Sequence, residues 1–552
     1  MKKAFLFFIL ALCSIALFAQ NVDWLWAKQA VGTDYDICRG IAVDANGNSY
    51  VTGHFDGSAT FGTTTLTSSG SYDIFVAKMD INGNWLWAKQ AGGTNEDEGI
   101  CIAINANGNS YITGFFYGSA TFGTTTLTSS GDFDIFVAKL NSNGNWLWAK
   151  QAGGTDNDFG NGIAVDANGN SYITGDFVES ATFGTTTLTS SEYDDIFVAK
   201  LDINGNWLWV KQAGGTYPDY FYGNYGIAID ANGNSYVTGN FAESATFGTT
   251  TLTSSGDYDI FVAKMDINGN WLWAKQAGGT SDDYCSSITV DDNGNSYVTG
   301  GFIDIATFGT TTLTSNGDID IFVAKMDSNG NWLWAMQAGG TNFVVGNSIA
   351  VDDNGNSYVT GYFWGSATFG TTTMTSSGNS DIFVAKLDSN GNWLWVKQAG
   401  GTSFDCGNSI AVDANGNSYV TGYFTESATF GATTLTGSGY KDIFVAKLGE
   451  VNSIDLPDII SFSGIRSIYP NPFNPLTTID YEISMPADVK IEVYNNRGQL
   501  VRNFILGYKE QGSYKLTWEG EDNNGCLCST GIYYIRMQAG KKIYIKKAVL
   551  LK

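Results

Sequence analysis

Short apolar runs and polar turns follow one another along most of this chain in a fixed order. In the first period, extended patterns cover residues 41–44, 49–52, 73–78 and 85–90. Successive side chains of an extended segment point to opposite faces, and in residues 85–90 both faces are apolar. No stretch after the N-terminus shows the i, i+3, i+4 apolar spacing of an amphipathic helix over a useful length. The pattern predicts an all-β chain with four strands in each period.

Asn-Gly dipeptides mark the turns between these strands. Residues 45–48 join the first strand to the second, and residues 81–84 join the third strand to the fourth. Asn and Gly tolerate the positive φ that tight hairpin turns require, so an Asn-Gly pair between apolar runs favours a β-hairpin. Each period is therefore predicted to form a four-stranded antiparallel sheet, which is the shape of a propeller blade.

The period recurs seven times. Trp-Leu-Trp begins at residues 24, 85, 146, 207, 271, 332 and 393, with steps of 61 residues and one step of 64. The series of repeats begins with a lone fourth strand at residues 22–29 and stops after a lone third strand at residues 442–448. Pairing these two strands would remove two exposed sheet edges. We therefore expect a seven-bladed β-propeller over residues 22–448, closed by pairing of the N-terminal strand.

The repeat also carries a family resemblance. Residues 40–53 read Gly-Ile-Ala-Val-Asp-Ala-Asn-Gly-Asn-Ser-Tyr-Val-Thr-Gly, and residues 73–80 read Asp-Ile-Phe-Val-Ala-Lys-Met-Asp. These segments resemble the bacterial β-propeller repeat family called SBBP. The resemblance covers residues 22–448, with both hairpins in matching order and spacing. It implies a structural class and brings no catalytic residues with it.

The two ends of the chain differ from the repeats. Lys2 and Lys3 precede an apolar run over residues 4–18, and Ala19-Gln20 offers a cleavage point, so residues 1–19 are typical of a secretory signal peptide. No later run of 18 or more apolar residues occurs, so we expect no membrane span. Residues 449–464 indicate a linker. In residues 465–552, seven short alternating segments favour a small Ig-like β-sandwich.

A second resemblance concerns residues 465–552. It rests on Val493-Tyr494, Gly498, the segments 531–535 and 547–552, and a proline-rich motif. That motif consists of Tyr469, Pro470, Asn471, Pro472, Phe473, Asn474 and Pro475. Together they look like the C-terminal sorting domain (type A) of type IX secretion substrates. The resemblance implies translocation by the outer-membrane type IX secretion machinery and a location that is secreted or on the outer cell surface.

Charge and composition exclude several classes of function. The formal net charge is −25, although residues 465–552 hold 12 Lys/Arg against 8 Asp/Glu. An acidic chain argues against nucleic acid as a partner, because phosphate contacts need Lys and Arg. His54 is the only histidine, and no Cys/His spacing resembles a zinc site. We expect no metal site, no cofactor, no catalytic residues and a monomer.

Carboxylates before the first strand leave one enzymatic alternative. They include Glu96, Asp97 and Glu98, then Asp156 and Asp158, then Asp282 and Asp283. Glycoside hydrolysis uses two carboxylates at a set separation, so a secreted polysaccharide hydrolase or lyase is the alternative function. Because similar acids recur in most repeats, a solvated rim is the simpler expectation. His54 is likewise interpreted as surface variation.

Aromatic residues break the repeat at the end of the sheets that lies opposite the Asn-Gly turns. The candidate ligand-binding residues are Phe115, Tyr117, Tyr217, Tyr220, Phe221, Tyr222, Tyr362, Trp364 and Tyr423. Aromatic side chains beside acids and amides stack on sugars or anchor protein partners. Equally, they could simply cover the ends of the channel. The predicted function is a non-catalytic binding or adhesion scaffold for a glycan or a protein ligand.

Overall fold

The computed structural model describes residues 22–191, 193–215, 226–451, 463–484, 486–540 and 542–552. The expected signal peptide, most of the expected linker and the candidates Tyr217, Tyr220, Phe221 and Tyr222 lie outside the described residues. The chain divides into two compact units, Met1–Glu450 and Val451–Lys552. Every secondary-structure element in the described residues is a β-strand. None of the described segments is a helix that could cross a membrane.

Each sequence repeat forms a four-stranded antiparallel sheet, which confirms the predicted strand pattern. In the first repeat the order is the inner strand Ile37–Val43, the second strand Ser49–Phe55, the third strand Asp73–Met79 and the outer strand Trp85–Ala91. The second and third strands are buried on both faces, as expected where a sheet packs between neighbouring sheets.

The other repeats follow the same plan. Their inner strands are Asp97–Ile104, Asp158–Val165, Gly226–Ile229, Asp283–Val290, Val344–Val351 and Cys406–Val412. Their second strands are Ser110–Phe122, Ser171–Phe177, Ser235–Phe247, Ser296–Phe302, Ser357–Phe369 and Ser418–Phe424. Their third strands are Thr125–Leu140, Asp195–Leu201, Thr250–Met265, Asp320–Met326, Thr372–Leu387 and Asp442–Glu450. Their outer strands are Trp146–Ala152, Trp207–Ala213, Trp271–Ala277, Trp332–Gly340, Trp393–Ala399 and Val22–Gly32.

The last sheet takes its outer strand from the other end of the repeat series. Val22–Gly32 pairs antiparallel with Asp442–Glu450, in a register that places Trp26 opposite Lys447 and Ala30 opposite Ile443. The apolar side of this pairing is packed as tightly as in the other sheets, because Ala30 and Ile443 are both fully buried. The sheet is thereby complete, with inner, second, third and outer strands in the usual order.

A β-bulge exposes the leucine of each Trp-Leu-Trp motif. In the first repeat Met79 lies opposite Trp85 and Lys78 opposite Trp87, so Leu86 is an extra residue in the outer strand. Leu86 is 53% exposed. The expectation that both faces of this strand are covered is therefore wrong at the leucine, since a bulge in an edge strand can turn a side chain towards solvent.

A short hairpin, here called the arm, lies between the second and third strands, where the sequence pattern predicted no strand. Separate arms are formed by Ser58–Phe61 with Thr64–Thr67, Ser180–Phe183 with Thr186–Thr189, Ile305–Phe308 with Thr311–Thr314, and Ser427–Phe430 with Thr433–Thr436. In the other three repeats the arm continues the second and third strands.

The arms connect neighbouring sheets. The backbone N–H of Thr121, in the arm of the second repeat, donates to the carbonyl of Gly92 at the end of the first outer strand, at 2.9 Å. In the first repeat the arm residue Phe61 packs against Phe75 and Trp85 of its own sheet, with ring centroids 5.0 and 5.1 Å away. Each arm thus packs on one sheet while its backbone bonds to the preceding one.

The C-terminal unit is a seven-stranded β-sandwich. One sheet contains Gly464–Tyr469, Thr477–Ile483 and Gly512–Trp518. The other contains Leu500–Lys509, Ala487–Asn495, Gly531–Ala539 and Lys542–Leu550. The inward-facing residues form one apolar core around Trp518, which is 1% exposed. Two sheets with alternating inward residues are the arrangement of an Ig-like domain.

Candidate functional site

The Asn-Gly end of the sheets is held by capped turns. Asp44 Oδ1 accepts hydrogen bonds from the backbone N–H groups of Asn46 and Asn48, both at 2.9 Å, and Gly47 has a φ of 76°. The turn at Asp80 repeats the same bonds. In both turns the aspartate carboxylate therefore already accepts hydrogen bonds from backbone N–H groups. Across the described ranges, no three or more His, Cys, Asp or Glu side chains are grouped to hold a metal ion.

The opposite end, here called the variable end, is formed by the starts of the inner strands and the ends of the second strands. Repeat after repeat, one second-strand position changes its residue type: His54, Phe115, Asp176, Asn240, Gly301, Tyr362 and Tyr423. The strand before it is fixed; in the first repeat the buried Thr52 donates its hydroxyl to the carbonyl of Phe75 at 2.8 Å. A constant framework therefore presents different chemistry in each repeat.

Three residues from two repeats meet at this end. Arg39 Nη2 donates to Glu98 Oε2 at 3.4 Å, and His54 Nδ1 lies 3.1 Å from the same oxygen. Burial alone would raise the pKa of Glu98, but His54 and Arg39 outweigh it and hold the pKa below the usual range, which keeps Glu98 anionic. His54 is only 3% exposed, so its interpretation as surface variation is wrong.

Lys441 extends this group from the last repeat. Its Nζ lies 4.0 Å from the centre of the Tyr423 ring, a cation–π contact. Burial and then the positive charge of Arg39 lower the pKa of Lys441. The neighbouring Cys406 is buried, and burial raises the pKa of its thiol to about 12, which leaves it protonated. We refer to Arg39, His54, Glu98 and Lys441 as the charged cluster.

One member of the charged cluster, Arg39, lines a cavity of about 180 Å³. This cavity is lined by the inner strands, through residues that include Arg39, Ile100, Asn161, Gly226, Ser286, Asn347 and Asn408. Hydrogen bonds from side-chain amides link neighbouring inner strands in the cavity wall. Asn408 Nδ2 donates to the carbonyl of Cys38 at 2.8 Å, and Asn347 Nδ2 donates to the carbonyl of Gly407 at 3.0 Å. Arg39 lies at a bulge of its inner strand, between Cys38 and Gly40.

The described aromatic candidates all lie at the variable end, but in separate groups. Tyr423 contacts Lys441 of the charged cluster, and Cys406 is among the groups that act on the pKa of both Tyr362 and Tyr423. Phe115 and Tyr117 instead pack on Phe133, with ring centroids 5.2 and 5.6 Å away. Trp364 stacks on Phe343 at 6.4 Å and 18°. Tyr117 and Trp364 are 40% and 45% exposed, so both could contact a ligand.

Three of the seven carboxylates expected to form a solvated rim are buried. Asp97, Asp158 and Asp283 have no exposed surface. Asp97 Oδ2 accepts the backbone N–H of Gly93 at 2.7 Å, and the same bond recurs at Asp158 and Asp283. Burial raises their pKa values to about 7, 8 and 8. The expectation is wrong for these three because each carboxylate fastens the loop before an inner strand.

Sequence reasoning did not predict the charged cluster. The available signal was uniqueness: Arg39 is the only arginine in residues 22–448, and His54 is the only histidine in the chain. At the position of Arg39 the other described repeats carry Ile100, Asn161, Ser286, Asn347 and Asn408. Aligning the repeats with one another would have singled out both residues, although not their contact through Glu98.

The proline-rich motif of the second unit holds its last strand. Asn471 Oδ1 accepts the backbone N–H of Val549 at 2.8 Å, and Asn471 Nδ2 donates to the carbonyl of Lys547 at 3.0 Å. Phe473 bonds through its backbone to Val549 and Leu551, both at 2.9 Å. Its side chain is 2% exposed and lies 5.2 Å from the Trp518 ring. By contrast, Tyr469 is 76% exposed.

Two protein families match parts of the chain. The beta-propeller repeat family, SBBP, matches residues 25–54, 147–176, 272–300, 333–365 and 394–423. The FlgD Ig-like domain family matches residues 475–542. The chain thus carries SBBP beta-propeller repeats followed by an Ig-like domain. The SBBP resemblance drawn from the sequence is confirmed, and the second unit matches as an Ig-like domain.

Two curated proteins are similar over long stretches. The uncharacterized WD repeat-containing protein L264 of Acanthamoeba polyphaga mimivirus is 26% identical, over 73% of this chain and 36% of its own length. The regulatory protein FlaEY of Caulobacter vibrioides is 27% identical, over 56% of this chain and 34% of its own length. The chain therefore spans about a third of these relatives. Among solved structures, the WD40 beta-propeller domain of Doa1 is 11% identical with a TM-score of 0.36, covering 78% of this chain and 98% of that one.

Proposed function

We propose that the seven repeats close into a seven-bladed ring that binds a glycan or protein ligand at its variable end, without catalysing a reaction. Closure is supported by the strand Val22–Gly32, which completes the last sheet, and by the bond from Asn408 to Cys38, which joins the last inner strand to the first. It is further supported by the cavity that inner strands of all the repeats line together.

One observation carries the binding proposal. The Asn-Gly end is the same in every repeat. By contrast, Arg39, His54 and Lys441, each of which stands at a position where no other repeat has the same residue type, gather at the variable end. A ring built only for stability gains nothing from such differences, because equivalent positions have equivalent surroundings. Charged groups withdrawn from water are costly to hold, so their concentration at the variable end, with Arg39 lining the cavity, favours recognition of a ligand.

The non-catalytic proposal rests on the state of the carboxylates. Asp97, Asp158 and Asp283 have no exposed surface and are bonded to the backbone, so they offer a polysaccharide no accessible acid. Glu98 is held by Arg39 and His54 with a lowered pKa, which is the opposite of what a general acid requires. These arguments support a binding protein over the hydrolase or lyase alternative.

We also propose that the Ig-like domain directs export through the type IX secretion machinery, and that the mature protein is secreted or attached to the outer cell surface. The support is the proline-rich motif with the sequence features that accompany it. Residues Asn471 and Phe473 of this motif organise the C-terminal strand, so the motif and the chain end form one structural element.

The binding proposal is tested with a glycan array, a protein-capture screen and a polysaccharide hydrolysis assay, all on the full chain. We expect binding without turnover. The substitutions Tyr117→Ser and Trp364→Ser change exposed aromatic residues of the variable end, and Leu86→Ser changes an equally exposed residue of the outer strand. Binding should weaken with either of the first two and persist with the third. Release of reducing sugar by the native chain would instead support the hydrolase or lyase.

Export is tested in a bacterium that has the type IX machinery. A chain that ends at Glu450 should remain in the periplasm, whereas the full chain should reach the cell surface or the medium. Export of the shortened chain at the normal level would refute the sorting role of residues 465–552.

A further inference from the structure

The charged cluster is cationic within a strongly acidic unit. Residues 21–464 contain 15 Lys/Arg and 46 Asp/Glu, yet the cluster combines two basic side chains, Arg39 and Lys441, with one carboxylate, Glu98. Five of the seven lysines at the equivalent third-strand position lie within 4 Å of an aspartate; for Lys264 and Lys386 the distances are 3.7 and 3.6 Å. Lys441 has no carboxylate within ion-pair distance among the described residues.

Arg39 keeps donors that Glu98 does not use. Its Nη2 bonds to Glu98, whereas its Nε is buried and has no hydrogen-bond partner in the described part of the chain. The Arg39 side chain is nevertheless 38% exposed at the cavity. Guanidinium groups bind carboxylates through two parallel N–H donors, and the exposed part of the Arg39 guanidinium is open to such an acceptor.

A pair of exposed rings lies next to Lys441. Tyr35 and Tyr440 stack with centroids 5.3 Å apart and an angle of 11°, and they are 40% and 66% exposed. Tyr440 precedes Lys441 in the chain, and the backbone of Tyr35 is bridged to that of Lys441, so the pair and Lys441 belong to one stretch of paired backbone. An exposed flat ring offers an apolar face to the C–H groups of a pyranose, which a flexible acidic peptide does not present.

We infer that the charged cluster, with the Tyr35–Tyr440 pair beside it, binds a carboxylate-bearing sugar, such as a uronate unit of an acidic polysaccharide. The inference rests on the proposed function, since it names a ligand class and a location for the binding proposed at the variable end. Arg39 and Lys441 contact the carboxylate, and the tyrosine pair stacks on the sugar ring. Glu98 holds Arg39 in place and keeps the net charge of the site low enough for release of the ligand.

At the positions equivalent to Arg39 and Lys441, other repeats of the chain carry residues that the fold accepts, and these residues serve as substitutions. Arg39→Asn introduces the residue that stands at this position in three other repeats, as in Asn161, and Lys441→Ser introduces that of Ser380. The matched control is Lys89→Met, which removes one positive charge from an outer strand and copies Met336. All three variants should keep the native melting temperature, so a loss of binding reports on the site.

The experiment measures binding of the full chain to oligomers of galacturonate, glucuronate and mannuronate by calorimetry. Their methyl esters serve as neutral matched ligands, and a polyglutamate peptide is the non-sugar anion. We expect at least one uronate oligomer to bind, its ester to bind about tenfold more weakly, and polyglutamate to bind weakly. Arg39→Asn and Lys441→Ser should each weaken binding of the acid by about tenfold, and Lys89→Met should leave it unchanged.

Three results would overturn the inference. They are equal affinity for the acid and its ester, native affinity in the Arg39→Asn and Lys441→Ser variants, or polyglutamate binding in place of every uronate oligomer. If a neutral glycan binds and Trp364→Ser weakens it while Arg39→Asn does not, the ligand class is wrong and the proposed binding function stands. If no uronate oligomer binds, the inference fails as well.

Discussion

The carboxylates of Asp73 and Asp97 converge on Gly92. A Cβ atom added to Gly92 would lie 2.6 Å from Asp73 Oδ1 and 3.0 Å from Asp97 Oδ2. Both carboxylates lack exposed surface, and Asp73 Oδ1 has no hydrogen-bond partner in the described residues. Burial disfavours the ionised form of both carboxylates, and the charge of Asp73 further raises the pKa of Asp97. Asp259 and Asp283 converge on Gly278 in the same way.

These pairs predict that stability falls as pH rises. Burial raises the pKa of Asp73 to about 6 and that of Asp97 to about 7, from 3.8 in an unfolded chain. The folded state therefore binds more protons, and the stabilisation is complete below pH 3.8 and is lost as pH rises through about 6 to 7. We expect the urea midpoint of the propeller transition to decrease between pH 5 and pH 8.

Asp73→Asn should remove part of this dependence. Its amide can accept from Ser69 N–H, as Asp73 Oδ2 does now, and it does not ionise as pH rises. We expect the variant to be more stable than the native chain at pH 8 by about 1–2 kcal/mol, a difference that shrinks towards pH 5. An equal pH slope in both proteins, measured by urea unfolding, would argue against Asp73 as a source of the pH dependence.

The pairing of the terminal strands predicts a large effect of a small deletion. Removing residues 22–32 leaves Asp442–Glu450 as an unpaired edge strand, which both destabilises the last sheet and favours aggregation. We expect a markedly lower melting temperature and greater binding of a hydrophobic dye. Leu25→Ser is the matched control, because Leu25 is 41% exposed and its change keeps the pairing. A native melting temperature for the deletion would contradict ring closure.

The arms predict a second effect on stability. Phe61 is 1% exposed and contacts Phe75 and Trp85, so Phe61→Ala should destabilise the propeller by about 3–5 kcal/mol through the cavity it leaves. Leu86→Ser, at a position that is 53% exposed, should change the free energy of unfolding by less than about 0.5 kcal/mol. Equal effects of the two substitutions would show that the arm does not contribute to the core.

The second unit should unfold independently of the first. Phe473→Ala removes a buried ring from beside Trp518 and should lower the stability of the Ig-like domain by about 3–5 kcal/mol. The melting transition of the propeller should not move, since the chain divides into separate compact units. Tyr469→Ser, which changes a residue that is 76% exposed, is the control. A shift of both transitions in calorimetry would show that the units are coupled.

The strands could be predicted because each depends on residues that are close together in the sequence. The Asn-Gly turns and alternating apolar residues fix four strands per repeat, and the structure has them at the expected places. The arms escaped notice because threonine-rich segments such as Thr64–Thr67 become strands only against a neighbouring sheet. The bulge at Leu86 likewise depends on the pairing with Lys78 and Met79, which the motif alone does not show.

The charged cluster illustrates the same limit for the candidate site. Arg39 and His54 stand in one repeat and Glu98 in the next, and their contact depends on how neighbouring sheets pack. Burial of Asp97 depends on the same packing, so exposure could not be inferred from its charge. The aromatic residues of the variable end were identifiable because they interrupt an otherwise constant repeat.

The origin of the last sheet constrains the timing of folding. Its outer strand is synthesised first, at Val22–Gly32, and its third strand last, at Asp442–Glu450. During translation residues 22–30 therefore wait for more than four hundred residues before their partner emerges, whereas Val31 and Gly32 can pair early with Thr60 and Ala59 of the first arm. Until then residues 22–30 are an unpaired segment rich in tryptophan, a natural target for a chaperone that keeps nascent chains apart.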